Sequence, residues 1–151
     1  MAELKERLRA DLNAAMRARD QVRMRTLRMA LTSITNEEVA GTSARDLTDD
    51  EVLKVLTREA RKRREAAEAF SAAGRSDQAA AERAEGDVLA GYLPAQLSDE
   101  ELAALVDAAI AETGASGMAA MGQVMKTVTP RVAGRADGAR VAAEVRRRLS
   151  A

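Results

Sequence analysis

Apolar residues recur at intervals of three or four along most of the chain, the spacing that places them on one face of an α-helix. The first such stripe consists of Leu4, Leu8, Leu12 and Met16. Asp20 and Gln21 interrupt the pattern, and the second stripe consists of Leu27, Leu31 and Ile34. Because Gly41-Thr42-Ser43 is a turn-forming segment, we expect the second helix to fade near Gly41.

The third predicted helix has the clearest start. Thr48 is followed three positions later by Glu51, the spacing of a reciprocal capping box. The apolar stripe of this helix consists of Val52, Leu56, Ala60, Ala67 and Phe70. Arg63 projects near the stripe, so it either reaches solvent from a partly buried site or faces another element. Gly74 ends this helix, and we predict a fourth from about Asp77 to Leu93.

The segment from Tyr92 to Ser98, with the sequence YLPAQLS, divides the chain. Pro94 cannot continue a helix and forces the residue before it into an extended conformation. Ser98 and Glu101 then form a second capping box, which starts a new helix. We therefore predict an N-terminal helical bundle over residues 1–93, a small three-helix domain over residues 97–151, and a hinge at Pro94.

Three shorter stripes predict the helices of the C-terminal domain. The fifth helix is expected to stop at Gly114, and the sixth to end before Pro130. The sixth stripe consists of Met118, Met121, Val124, Met125 and Val128, and the seventh of Val141, Val145 and Leu149. The methionines suit either core packing or an adaptable docking face. Since aromatic residues are only 1% of the chain, strands are disfavoured and the predicted fold class is all-α.

Composition excludes several kinds of chemistry. The chain has no cysteine and no histidine, which removes thiolate nucleophiles, disulfides and every Ser-His-Asp arrangement. Its acidic runs, residues 49–51 and 99–101, fall at predicted helix starts, where the helix dipole accounts for them. No phosphate-binding loop motif is present. We therefore predict no catalytic residue, no metal site and no small-molecule cofactor.

The N-terminal sequence MAELKERL has no apolar stretch typical of a signal peptide. The longest apolar run, Leu102 to Val106, is far shorter than the roughly 20 residues that a membrane-spanning helix needs. We expect a cytoplasmic protein with no membrane partner.

Charge is balanced overall but segregated along the chain. Lys plus Arg and Asp plus Glu are 24 each. Residues 76–130 hold nine acidic and two basic side chains, whereas residues 131–151 hold six basic and two acidic. Five arginines lie between Arg17 and Arg28, and five basic residues between Arg58 and Arg64. Such clusters are typical of solvated helix faces or of a nucleic-acid footprint.

The turn Gly134-Arg135-Ala136-Asp137-Gly138 is the most informative candidate site. Its glycines allow a close approach, and the following helix start exposes backbone N–H groups that can cradle a phosphate. Asp137 is placed to cap that helix. A plain helix–helix turn is the alternative. The predicted nucleic-acid-binding residues are Arg131, Gly134, Arg135, Gly138, Arg140 and Arg147.

Several segments together resemble the GatB/YqeY family. They are Leu27-Arg28 with Leu31 and Ile34, residues 70–77 (FSAAGRSD), residues 92–98 (YLPAQLS), Gly117-Met118, residues 121–125 (MGQVM) and residues 134–138 (GRADG). They span essentially the whole chain in order. The sequence departs from the family at Ala120, commonly acidic, and at Gln123, commonly lysine, which weakens a phosphate contact at that position.

The resemblance implies a free-standing YqeY-like protein, related to the helical tail by which the B subunit of the glutamyl/aspartyl-tRNA amidotransferase helps to hold tRNA. It therefore implies a non-catalytic, tRNA-binding or amidotransferase-related accessory module, with tRNA or other structured RNA as partner. Two alternatives stay open: a protein-interaction module that docks on an enzyme, and a component of a glutamine-dependent carbon–nitrogen ligase whose chemistry lies in other subunits.

Overall fold

The computed structural model describes residues 2–151, and within this range every regular element is helical. The α-helices are α1 (Glu3–Ala18), α2 (Gln21–Glu38), α3 (Asp49–Ala72), α4 (Ser76–Ala90), α5 (Asp99–Thr113), α6 (Met121–Val132) and α7 (Gly138–Leu149). A short 3-10 turn, Met118–Ala120, precedes α6. The all-α prediction is confirmed.

Side chains at the helix starts explain why the helices begin where they do. The Thr48 hydroxyl accepts the Glu51 backbone N–H at 3.2 Å, and the Glu51 carboxylate accepts the Thr48 N–H at 3.2 Å. Ser98 and Glu101 repeat this arrangement at 3.1 and 3.0 Å. Asp137 caps α7 by accepting a backbone N–H three residues on. All three predicted caps are confirmed, and each satisfies donors that the helix itself leaves free.

The chain divides into two compact units, one ending at Leu93 and the other running from Pro94 to Ala151. In the N-terminal unit α1 packs along α2 and α3 along α4. The buried side chains of its core are Leu8, Leu27, Ala30, Ile34, Leu47, Val52, Val55, Leu56, Leu89 and Tyr92. In the C-terminal unit α5, α6 and α7 pack on one another. The buried side chains of that core include Leu97, Leu102, Val106, Val124, Val128, Val141, Val145 and Leu149. The hinge at Pro94 stays a prediction.

Two predicted details of the sixth helix are wrong. The helix does not end before Pro130 but continues to Val132, with the proline inside its last turn. A proline removes one backbone hydrogen bond, and burial of Val132 in the core stabilises the turn that follows. Met118 does not lie on α6, because residues 118–120 form a 3-10 turn that precedes the helix. Met121 and Met125 do pack on the core, whereas Met118 is 46% exposed.

Arg63 faces another element, one of the two arrangements its position predicts. Its guanidinium lies 3.2 Å from Glu59 on its own helix, and 3.6 and 3.4 Å from Glu82 and Glu85 on α4. Arg25 of α2 also pairs with Glu85, at 2.8 Å. These ion pairs join α2, α3 and α4.

Within the described residues, no helix is long and apolar enough to cross a lipid bilayer.

Candidate nucleic-acid interface

The turn between α6 and α7 owes its shape to two residues in the left-handed region. Ala133 has a φ of +49° and Gly134 a φ of +78°. Glycine adopts this conformation without steric cost, so Gly134 is required by the path of the chain. Gly138 is different, because it is the first residue of α7 and has an ordinary helical backbone. Only one of the two predicted glycines is therefore needed for the turn itself.

The turn is hydrogen-bonded to the segment that opens the C-terminal unit. The Leu97 backbone N–H donates to the Arg135 carbonyl at 2.8 Å, and the Arg135 Nε donates to the Ala95 carbonyl at 3.3 Å. A Cβ atom placed on Gly134 would lie 3.8 Å from Pro94 Cγ. Residues 94–97, from the YLPAQLS segment, thus meet the GRADG turn in the fold. This contact within the unit therefore explains some of the residue types in both segments without a ligand.

Each of the four predicted arginines has a carboxylate partner. Arg131 pairs closely with Glu112, and Arg140 lies 2.8 Å from Asp99. The remaining two pairs are Arg135 with Glu101 at 3.8 Å and Arg147 with Glu144 at 2.8 Å. The four arginine side chains are between 30% and 65% exposed. They are accessible, but their charges are compensated within the unit.

The partners show which arginines lie together. Asp99 and Glu101 are in the first turn of α5, whereas Glu112 is in its last turn. At 1.5 Å per residue these ends are about 20 Å apart. Arg135 and Arg140 therefore share the start of α5, and Arg131 reaches toward its other end. Arg147 lies in the last turn of α7, and its raised pKa reflects Glu144 first and then the fields of Asp107 and Asp99.

This pairing accounts for the charge segregation along the sequence. The acidic helix α5 is neutralised by basic residues from the turn, α6 and α7, including Arg148, which lies 3.5 Å from Asp107. Between Pro94 and Ala151 the chain holds seven acidic and seven basic side chains. A sequence that is strongly basic after residue 130 thus produces a face on which both charges alternate.

Hydrogen bonds to the ionised forms shift several pKa values in this region. The Arg131 guanidinium lowers the pKa of Glu112, and the contact raises the pKa of Arg131. Arg147, followed by Arg148, lowers the pKa of Glu144. For Glu101 the main cause of a lowered pKa is the backbone N–H of Ser98. All these shifts keep the charged forms present at neutral pH.

The predicted phosphate cradle at the start of α7 contains a carboxylate. Asp137 is 7% exposed and accepts the Arg140 backbone N–H at 3.0 Å. A phosphate placed there would compete with this carboxylate for the same donors. The exposed guanidinium groups are therefore the better phosphate-binding groups of the turn.

Sequence reasoning missed a second polar cluster, around Tyr92 in the N-terminal unit. The buried tyrosine hydroxyl donates a short hydrogen bond to Asp11 and accepts one from Arg23 at 3.4 Å. The Arg7 guanidinium lies over the ring, 4.7 Å from its centroid. Burial and Asp11 raise the pKa of Tyr92 to about 12. Its hydrogen-bond partners lie 69 and 81 positions away, so spacing along the chain gave no signal for them.

Fold and surface together define the class: an all-helical protein of two compact units, whose candidate interface consists of arginines interleaved with carboxylates. Among residues 2–151, no group of acidic side chains is placed to hold a metal ion. Residues 5–149 match the family described as Yqey-like protein, and the chain belongs to that family. No curated protein matches the sequence.

Proposed function

We propose that this protein is a binding module for structured RNA, with tRNA as the expected class, and that it acts as an accessory to tRNA-related chemistry carried out elsewhere. Membership of the Yqey-like family supports the proposal, as does the resemblance of the sequence motifs to an amidotransferase tail. The observation that carries it is the pair of partly exposed arginines Arg135 and Arg140 beside the Gly134 turn, with the more exposed Arg147 farther along α7.

Carboxylate pairing does not prevent these arginines from binding phosphate. Ion pairs at the surface contribute little to stability, because water screens them. Asp99 is 93% exposed and can turn away into solvent. Glu101 holds the Ser98 N–H through one oxygen, and its other oxygen, 3.8 Å from Arg135, makes no hydrogen bond to that guanidinium. A guanidinium released in this way can bind phosphate through two parallel hydrogen bonds. We expect RNA to displace these carboxylates, with affinity that falls steeply as salt rises.

The first test is a tRNA titration of the Arg135→Ala/Arg140→Ala variant over a range of salt concentrations. Removing each phosphate-binding arginine should reduce the salt slope by about one. The matched control is Arg58→Ala/Arg61→Ala on α3, which removes the same net charge. Equal binding by the wild type and the first variant, or no binding by the wild type at low salt, contradicts the proposal.

The second test removes the competing carboxylates instead. Asp99→Asn/Glu101→Gln frees Arg135 and Arg140 from their partners, and glutamine keeps the capping geometry at position 101. The variant should bind tRNA more tightly than the wild type. A control that neutralises two carboxylates on α3, Glu65→Gln/Glu68→Gln, should show only the weaker effect of net charge. An increase no larger than that of the control would argue against phosphate binding at this surface.

A protein partner is the second candidate, and the alternation of charge favours it. Arg140, Arg147 and Arg148 lie among Asp99, Asp107 and Glu144, which suits a partner surface that also carries both charges. Capture from lysate, with sequencing of bound RNA and mass spectrometry of bound protein, separates the two. A stoichiometric protein that depends on these side chains, in the absence of RNA, would replace the first proposal.

A further inference from the structure

An uncompensated positive surface lies in the N-terminal unit, where α1 turns into α2. Between Leu12 and Asn36 there are five arginines and one acidic residue, Asp20. The carboxylate of Asp20 accepts the Arg23 backbone N–H at 3.1 Å and so caps α2. This segment differs from the α5–α7 face, where each candidate arginine has a carboxylate of its own.

Four of these arginines project from the turn, the end of α1 and the first half of α2. The α1–α2 corner is defined by Arg17, Arg19, Arg25 and Arg28, all of them exposed. Arg25 pairs with Glu85 and is still 59% exposed. Within the described residues, Arg17, Arg19 and Arg28 make no ion pair. Three of the four corner arginines therefore present positive charge that no carboxylate of the unit pairs with.

A contact between the two helices shows that the corner is one surface. The Arg28 guanidinium lies 3.4 Å from the sulfur of Met16, which precedes Arg17 in the last turn of α1. Arg25 and Arg28 are three positions apart on α2 and so lie on neighbouring parts of its surface. Arg19 lies in the turn between the end of α1 and the start of α2. These guanidinium groups can therefore contact successive phosphates of one chain.

The backbone conformation of Arg19 is also unusual for a residue with a long side chain. Its φ of +56° is in the left-handed region, where glycine or asparagine is favoured and a long side chain is strained. The residue at this position is an arginine, and its side chain is exposed. Strain of this kind is found where a side chain serves function at some cost to stability.

We propose that the α1–α2 corner binds the phosphate backbone of structured RNA. All four cations are arginines, whose planar guanidinium groups match phosphate oxygens, and the corner offers no aromatic ring to stack a base. A membrane surface fits less well, since Met16 is the single exposed large apolar side chain there and membrane binding also needs buried apolar area. The class of ligand rests on the proposed function, but the site does not depend on the α5–α7 face.

The experiment is a titration of unfractionated tRNA against Arg17→Ala/Arg19→Gly in the full chain, from low salt to physiological salt. Removing two phosphate-binding groups should lower the salt slope by about two and the affinity near 0.1 M salt by roughly tenfold or more. The control Arg58→Ala/Arg61→Ala removes the same charge from arginines that face Glu37 and Glu65. Its salt slope should equal that of the wild type.

A stability measurement separates a weakened interface from a disrupted fold. Glycine relieves the strain at position 19, so Arg19→Gly should melt at a higher temperature than the wild type and yet bind RNA more weakly. If instead its melting temperature falls, Arg17→Ala/Arg28→Ala, which leaves the turn unchanged, provides the binding comparison. A reduced salt slope in either variant, absent from the control, supports the site.

Other outcomes distinguish this inference from the proposed function. If the corner variants bind as the wild type does while Arg135→Ala/Arg140→Ala has a lower affinity, the corner is not a site and the proposed function stands. If the wild type binds no tRNA at low salt, both fail. Binding to phosphatidylserine-containing vesicles but not to tRNA would overturn the corner as an RNA site and assign it to a membrane surface.

Discussion

Breaking the buried ion pair between Lys5 and Glu38 should destabilise the N-terminal unit more than any change to a surface charge. The Lys5 ammonium lies 2.8 Å from both oxygens of Glu38, and the two side chains are only 6% and 11% exposed. Glu38 also accepts the Leu47 backbone N–H at 3.4 Å. The pair thus connects α1 to the end of α2 and to the loop before α3.

In Lys5→Met the Glu38 carboxylate stays buried without its cation. Removing one partner of a buried pair costs about 3–5 kcal/mol. Since a tenth of the Glu38 side chain still reaches water, we expect a decrease near the lower limit, about 3 kcal/mol in the free energy of unfolding. For a unit of this size, 1 kcal/mol corresponds to roughly 4–8 °C, so the melting temperature of the unit should fall by about 12–24 °C.

Tyr92 provides an assay specific to this unit. It is the single tyrosine of a chain without tryptophan, and it is buried in the N-terminal core. Its fluorescence during urea unfolding therefore reports on this unit, while circular dichroism reports on all helices. As a control, Arg58→Met removes a cation whose side chain is 43% exposed and should change the urea midpoint little.

The double variant Lys5→Met/Glu38→Gln tests the reason for the destabilisation. Glutamine needs no cation and can still accept the Leu47 N–H, so most of the stability should return. A single variant destabilised by less than about 1 kcal/mol, or a double variant destabilised by the sum of the two single changes, would refute the reasoning.

The same pair predicts a dependence on pH. The hydrogen bond from Lys5, and then that from Leu47, hold the pKa of Glu38 below its usual 4.5. The unfolded chain therefore takes up this proton more readily, so the contribution of the pair is complete above pH 4.5 and is lost as the pH falls through the folded pKa. In Lys5→Met the Glu38 carboxylate has lost its ion-pair partner. The difference in unfolding free energy between this variant and the wild type should therefore become smaller below pH 4.5.

Three further predictions concern single contacts. Tyr92→Phe leaves Asp11 without the hydroxyl that donates to it, and should lower the free energy of unfolding by about 1–2 kcal/mol, measured by circular dichroism. In the wild type, absorbance near 295 nm should show the Tyr92 phenol ionising at about pH 12. The stability that this hydroxyl contributes should be lost as the pH rises from 10 toward that value. Thr48→Ala and Ser98→Ala each remove one cap and should each cost about 1 kcal/mol in urea unfolding, while the corresponding serine–threonine exchanges should be nearly neutral. Gly134→Ala forces a side chain into the left-handed region and should lower the stability of the C-terminal unit by about 1–2 kcal/mol, and an unchanged unfolding midpoint would contradict the observed turn.

Local features of the sequence determined the helices. Periodic apolar positions and the capping residues Thr48, Ser98 and Asp137 act within a few residues of one another, so their effect can be read from the chain itself. Pro130 shows where this fails. A proline rule predicts a helix end, but the burial of Val132 two residues later keeps the last turn helical, and burial depends on the packed core.

The sequence determined where the arginines of the candidate sites cluster, but not which of them are paired with carboxylates. It showed that arginines cluster near the Gly134 turn and between Arg17 and Arg28, because clustering is a property of order along the chain. Whether a cluster carries uncompensated charge is decided by partners that the fold brings close. Arg140 is compensated by a residue 41 positions away, whereas Arg17 finds none among the described residues. Coulomb energy depends on distance in space, which only the tertiary structure decides.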